Sequence, residues 1–269
     1  MQTIIKNNVT YGLLVCCLIL FMCQGCRKTE KSPELQRQKG GDEYVVEDSI
    51  TPQSARSQEV KDRKIPALQR EFTDTSLTLG SPIFLRIFKE SHELELWVEQ
   101  DQKFVLFKTY PIAYFSGTLG PKLREGDEQA PEGFYHVPPS QMNPNSRFHL
   151  SFNIGYPNAY DHAHQRTGSA IMVHGNTVSI GCFAMTDPVI EEIYTIADRA
   201  LNAGQRFIRV HVFPFRMTDE KMAQHVQSPH VAFWKNLQEG YHFFEQQYRP
   251  PNVIVSHNRY VFETDGEGG

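Results

Sequence analysis

The chain has 269 residues, of which 40% are hydrophobic and 22% charged, and its formal net charge is −4. This length is enough to bury the core of one good-sized domain or of two small ones. Its 27 Lys and Arg residues are interspersed with 31 Asp and Glu residues, so no basic face accumulates, which argues against a nucleic-acid-binding protein.

The N-terminus has the form of an export signal. Lys6 supplies a positive charge, and the apolar run over 11–22 is shorter than the about 20 residues that span a bilayer. Gly25 before Cys26 resembles a bacterial lipoprotein cleavage site, where the cysteine becomes the lipidated first residue. A signal that is cleaved without lipidation and an uncleaved anchor are the alternatives. All three place the rest of the chain in the cell envelope, outside the cytoplasm.

Changes in composition divide the chain into five segments. The signal occupies 1–26, and the polar, charge-rich stretch over 27–75 predicts a flexible tether. A folded domain is expected over 76–215, a helical extension over 216–250 and a tail over 251–269. The tail has one weak strand and an acidic, glycine-rich end.

The folded domain is expected to be mainly β. Alternating or continuous apolar patterns predict strands over 82–88, 93–99, 103–110, 134–137, 147–152, 170–173 and 206–213. Asp187 and Pro188 predict the start of a helix that ends before Gly204. Two more helices are expected over 219–226 and 230–247, and a weak strand over 252–255.

A histidine and a cysteine eight residues apart are the strongest sign of chemistry. If Cys26 carries lipid, Cys182 is the one free thiol of an exported chain, where cysteines normally pair. With His174 as a base, such a thiol suits acyl transfer, and Gly181 would let backbone N–H groups approach a developing oxyanion. A backbone carbonyl is expected to orient the imidazole, because no acidic partner is obvious nearby. The alternative is a buried structural cysteine beside an unrelated histidine.

Three motifs occur in order along the chain. The first contains Gly126, Pro131 and Gly133, the second covers 149–169, and the third runs from His174 to Ser179, Gly181 and Cys182. Together they resemble the L,D-transpeptidases, the YkuD-like peptidoglycan enzymes, and within them the YafK-like branch. The resemblance covers roughly 81–213.

The resemblance implies an α+β fold, mainly β with helices: an L,D-transpeptidase-type β-sandwich or barrel with the helical extension at its C-terminal side. It implies an enzyme without cofactor or metal in which Cys182 is the nucleophile, His174 the general base and acid, and Gly181 an oxyanion donor. The substrate would be the peptidoglycan stem peptide with its meso-diaminopimelate. The enzyme would be periplasmic and anchored to a membrane by lipid.

Two departures affect substrate recognition. Ile180 stands where the family usually has His or Lys, and Ala184 stands where it usually has Arg. Arg166 or Arg147 is the expected replacement as a carboxylate clamp; a structural ion pair is the alternative for each.

Three further residues are candidates for substrate binding: His149, Tyr156 and Ser179. For His149, a hydrogen-bonded structural role is the alternative.

The reaction outcome stays open at this level. An amine acceptor would give a 3-3 crosslink or an attached protein, whereas water would make the enzyme an amidase that releases a peptidoglycan-linked lipoprotein. The same residues would also suit a non-catalytic peptidoglycan-binding lipoprotein or a thiol peptidase of unrelated fold.

Overall fold

The protein is described by a computed structural model over residues 50–264. Within this range the helices are α1 Ala55–Asp74, α2 Ala159–Ala163, α3 Asp187–Asn202, α4 Asp219–Gln224 and α5 Val231–Gln247. The strands are β1 Ile83–Phe88, β2 Glu93–Gln100, β3 Lys103–Pro111, β4 Gly133–Val137, β5 Met142–Asn143, β6 Ser151–Asn153, β7 Met172–His174, β8 Phe183–Ala184, β9 Ile208–Phe213, β10 Asn252–Ser256 and β11 Arg259–Glu263. The predicted signal 1–26, with Cys26, lies outside the described residues.

Helix α1 corrects the prediction of a flexible tether over 27–75. Ser54 caps the start of the helix, and Val60, Leu68 and Phe72 are buried against the folded domain. These three side chains lie on one side of a helix whose other positions are mostly charged, so the apolar stripe is too sparse to recognise in the sequence. The tether can therefore extend at most over the part before residue 50, which the structure does not describe.

Ion pairs join α1 to α3. The ammonium of Lys61 lies 3.3 Å from Oδ2 of Asp198, and Oδ1 of the same carboxylate accepts a hydrogen bond of 2.6 Å from the Thr51 hydroxyl. Arg63 binds both carboxylate oxygens of Glu191, at 2.8 and 3.0 Å. The helix is therefore fixed to the domain by its polar residues as well as by its apolar ones.

Two sheets make up the domain. The larger has the strand order β3-β2-β1-β9-β4, in which only the β1–β9 pair is parallel. The smaller has the order β5-β6-β7-β8, and its β7–β8 pair is parallel. One hydrophobic core draws on both sheets and on the apolar faces of α1 and α3. The predicted α+β fold, mainly β with helices, is confirmed.

The outer face of the larger sheet carries a second, aromatic core. Phe134 and Phe213 of the sheet pack there with Trp234 and Tyr241 of α5 and with Tyr260 of β11. The predicted helices of the extension are thus present and packed on the domain.

The predicted tail over 251–269 needs correction. Instead of one weak strand, the chain forms the hairpin β10–β11, whose turn residues His257 and Asn258 have the positive φ values of a tight turn. Asn236 of α5 holds the hairpin by accepting from Tyr260 N at 2.8 Å and donating to Tyr260 O at 3.0 Å. Between residues 50 and 264, no helix is long and apolar enough to cross a membrane.

Replacing Phe72 tests whether α1 belongs to the fold. We expect Phe72→Ala to lower the free energy of unfolding by about 3–5 kcal/mol, since it removes a fully buried ring from the core. Urea denaturation of this variant should be compared with that of Arg70→Ala, an exposed position on the same helix, which should stay within about 0.5 kcal/mol of the wild type. Equal stability of the two variants would mean that α1 does not contribute to the core.

Candidate functional site

Two short parallel strands bring the predicted pair together. Strand β7 ends at His174 and β8 begins directly after Cys182, with His174 opposite Ala184. Paired residues share a face, so His174 and Ala184 project to the same side of the small sheet. Cys182 precedes β8 in the turn, beside Met172 of β7.

The imidazole of His174 is buried and held in one orientation. Its Nδ1 lies 2.5 Å from the carbonyl oxygen of Gly175, which confirms the predicted backbone partner. A carbonyl only accepts, so Nδ1 carries the proton and Nε2 is left with a lone pair. Burial lowers the pKa of His174, against the raising effect of the Gly175 carbonyl, so the ring is neutral at neutral pH.

The thiol of Cys182 contacts the main chain of the neighbouring strand. Its sulfur accepts from Met172 N at 3.3 Å and donates to Ala170 O at 3.7 Å. Within residues 50–264 it has no hydrogen bond to the imidazole. Burial raises the pKa of Cys182, and Met172 N–H, Ser179 and the charge of Lys122 oppose that rise. The thiol and the imidazole are therefore both neutral at neutral pH.

The turn before the thiol depends on Gly181 and Ser179. Gly181 has a φ of +113°, where a side chain would be strained. The Ser179 hydroxyl donates to the Cys182 carbonyl at 2.8 Å. Ser179 thus lies at the site as predicted, but its hydroxyl stabilises the turn, which leaves substrate binding by Ser179 without support.

Arg166 is not available as a carboxylate clamp. Its guanidinium is buried and binds Asp161 at 2.8 Å, and it lies over the rings of Tyr160 and Phe233. The structural ion pair is therefore the correct interpretation of Arg166. The sequence contained a sign of this ion pair, because its carboxylate partner, Asp161, lies only five positions before Arg166.

Tyr156 is also structural. Its side chain is buried, and its hydroxyl donates to the carbonyls of Lys122 at 3.3 Å and Thr167 at 3.1 Å. Burial raises its pKa well above the ordinary tyrosine value. Tyr156 thus holds two loops together, and its predicted role in substrate binding stays a prediction.

His149 lies near His174, close to Gly175, and has no described contact with the thiol of Cys182. It ends a loop instead of lying in the predicted strand over 147–152, because its φ of +69° breaks the extended chain and β6 begins only at Ser151. Its Nε2 lies 2.9 Å from Glu191, so the imidazole binds a structural carboxylate.

Two residues of the site were missed in the sequence. Phe148, 40% exposed, stacks on His174 with ring centroids 4.7 Å apart. Lys122 is a buried cation whose charge favours the thiolate of Cys182. It pairs with Asp127 at 2.6 Å. The sequence does not indicate that either residue lies at the site, because each belongs to a separate loop away from the motif of His174 and Cys182.

The comparisons with known proteins agree with one another. The sequence model of the YkuD family, described as an L,D-transpeptidase catalytic domain, matches residues 84–212. A protein of Escherichia coli K12 named "Putative L,D-transpeptidase YafK" is 47% identical over 183 residues, which is 68% of this chain and 74% of the relative. Its counterpart in Escherichia coli O157:H7 matches equally.

The similar solved structures are more distant. The helical cell shape determining protein Pgp2 from Campylobacter jejuni, in a variant form, is 18% identical with a TM-score of 0.42, over 70% of this chain. This chain spans 64% of that protein, slightly under two thirds. Bd1075 from Bdellovibrio bacteriovorus is 18% identical with a TM-score of 0.36, over 65% of this chain and 78% of its own.

Substitution of Arg166 separates a structural role from substrate binding. We expect Arg166→Met to lower the free energy of unfolding by about 3–5 kcal/mol, because Asp161 stays buried without its partner. Arg147→Met, at an exposed position, should change it by less than about 0.5 kcal/mol. Urea denaturation measures both, and an unchanged stability of Arg166→Met would restore its candidacy as a clamp.

The charge of Lys122 should be measurable at the thiol. Lys122→Met removes a positive charge that favours the thiolate, so the pH midpoint for alkylation of Cys182 by iodoacetamide should move to higher pH. Asp127→Asn is the matched control: it removes the charge that neutralises Lys122, and the midpoint should move to lower pH. Shifts of the same sign in both variants would contradict this assignment.

Proposed function

Because the chain belongs to the YkuD family of L,D-transpeptidase catalytic domains, we propose that it is an envelope cysteine acyltransferase that acts on the stem peptides of peptidoglycan. One observation supports this most: the free cysteine of the described residues directly precedes β8, and β8 pairs with β7, the strand that ends in an oriented, neutral histidine with Nε2 unprotonated. A thiol nucleophile and a base at adjoining ends of paired strands are what thioester chemistry needs.

The first half of the reaction forms a thioester. The thiol proton of Cys182 passes to Nε2 of His174 while the sulfur attacks the carbonyl carbon of the L,D-peptide bond after meso-diaminopimelate. The carbonyl electrons move onto the oxygen, where the N–H groups of Gly181 and Cys182 stabilise the negative charge. When the C–N bond breaks, the leaving amine takes the proton from His174, and the acyl group stays on sulfur.

The second half transfers the acyl group. His174 removes a proton from the acceptor, the acceptor attacks the thioester carbonyl, and the thiol regains its proton as the C–S bond breaks. An amine gives a 3-3 crosslink or an attached protein, and water gives hydrolysis. Hydrolysis would make this chain an amidase that releases peptidoglycan-linked lipoprotein; product analysis distinguishes the two.

Recognition of a substrate carboxylate falls to Arg147. Arg166 is held by Asp161, and Ala184 supplies no charge. Arg147 is exposed and precedes Phe148, whose ring covers the base. A guanidinium at this point could bind the carboxylate of a stem peptide beside the cleft.

The location of the enzyme follows from the same proposal. Its substrate class lies in the cell envelope, and a lipid on Cys26 would hold the domain at a membrane facing the periplasm. The described domain would then work within reach of that membrane.

A covalent adduct tests the proposed chemistry. Incubation with a carbapenem, which acylates thiols of this kind, should add the mass of the drug to the wild type and not to Cys182→Ala. His174→Gln should acylate at least about 10³-fold more slowly, since the base is lost. Thermal unfolding of each variant controls for folding.

The products decide between transfer, hydrolysis and binding alone. Incubation with muropeptides should yield crosslinked or shortened stem peptides with the wild type only. Binding of purified sacculi without adduct or product would instead identify a non-catalytic binding protein and overturn the proposal.

A further inference from the structure

A loop of four residues, 146–149, packs directly on the base. The Phe148 ring stacks on the His174 ring at an interplanar angle of 30°. A Cβ placed on Gly175 would lie 2.8 Å from the Phe148 carbonyl oxygen, so the two backbones are in close contact. Gly175 N also donates to Leu150 O at 3.1 Å. The peptide that orients Nδ1 of His174 is therefore built against this loop.

Helix α1 holds the loop from outside. Nη1 of Arg56 donates to the carbonyls of Ser146 at 2.9 Å and His149 at 2.7 Å. Just before the helix, the Ser54 hydroxyl donates to Pro144 O at 3.0 Å. Hydrogen bonds from a charged group are stronger than neutral ones, so the two contacts of Arg56 are the main link between α1 and the loop.

The carboxylate of Glu191 holds the end of the loop. It binds Nε2 of His149 at 2.9 Å, both terminal guanidinium nitrogens of Arg63, and Lys64 at 3.6 Å. Burial would raise the pKa of Glu191, but the bonds from Arg63 and His149 outweigh it and lower the pKa, so the group is ionised at neutral pH. This fixes His149 in its left-handed backbone conformation.

From these contacts we propose that Arg56 and Glu191 are positioning residues for His174, acting through the loop 146–149. They clamp the loop so that Phe148 covers the imidazole and the Gly175 carbonyl holds Nδ1 of His174, which leaves Nε2 of the ring free to accept a proton. The inference rests on the proposed function, because it concerns the base of that reaction. It makes α1 part of the catalytic apparatus rather than a spacer before it.

Loosening the clamp should change the proton affinity of the base. Water would reach the imidazole, and the pKa of His174, which burial lowers, would rise toward its ordinary value. The charged and titratable groups around it are Cys182, Asp187, which accepts from Asn176 N, and the His149–Glu191 pair. Arg56→Ala also removes a positive charge, which by itself would raise the pKa of His174, whereas Glu191→Gln removes a negative charge, which by itself would lower it. A shift in the same direction in both variants therefore reports solvation.

The test is the pH dependence of carbapenem acylation in the full chain. Arg56→Ala should lower the rate at neutral pH about 10- to 100-fold, as expected for a misplaced catalytic group, and should move the acidic limb of the profile to higher pH. Arg56→Lys, which keeps a charged donor, should recover part of the rate and part of the position of the acidic limb. Arg70→Ala, on the same helix and without a side-chain partner among the described residues, should match the wild type.

A second variant covers the case in which Arg56→Ala does not fold. Glu191→Gln keeps a hydrogen-bond acceptor for His149 but loses the ion pair with Arg63, and should shift the acidic limb in the same direction. An unmoved limb in every folded variant overturns the inference, whether or not the overall rate falls. If the wild type itself gives no adduct, it is the proposed function that fails.

Discussion

The site depends on the parallel pairing of β7 with β8. Met185 N donates to His174 O at 2.8 Å, and on the other side of β8 the chain at Tyr114 forms a bridge to Ala184. This two-residue strand is thus fixed between two neighbours. A shift of register by one residue would turn the imidazole to the opposite face of the small sheet. The main-chain bonds on both sides of β8 preserve this register.

Burial gives the pair its chemical character. It disfavours both the thiolate and the imidazolium, so the resting site carries no charge of its own. The groups that oppose this effect at the sulfur, Met172 N–H and Lys122, are fixed before substrate arrives. In the proposed reaction they would stabilise negative charge that appears only as the thiol attacks, which is the arrangement that lowers a barrier instead of tightening ground-state binding.

The sequence predicted what is local and missed what is not. His174 and Cys182 are eight residues apart, and the segment between them connects two paired strands, so the motif places both residues in one local element. The partners of other residues are remote: 42 positions separate His149 from Glu191, and 137 separate Lys61 from Asp198. Hence a polar, charge-rich segment looked like a tether although its charges are used to dock helix α1.

Ala184 stands where the resemblance to the family predicts an arginine. Ala184 is fully buried, and its N–H and carbonyl are both bonded to the chain at 113–114. A guanidinium at this buried position would lose its hydration. Under the proposed function, recognition of a substrate carboxylate would then come from outside the strand. If Arg147 supplies it, substrate binds the same loop that positions His174, and binding can then tighten the base over the thiol.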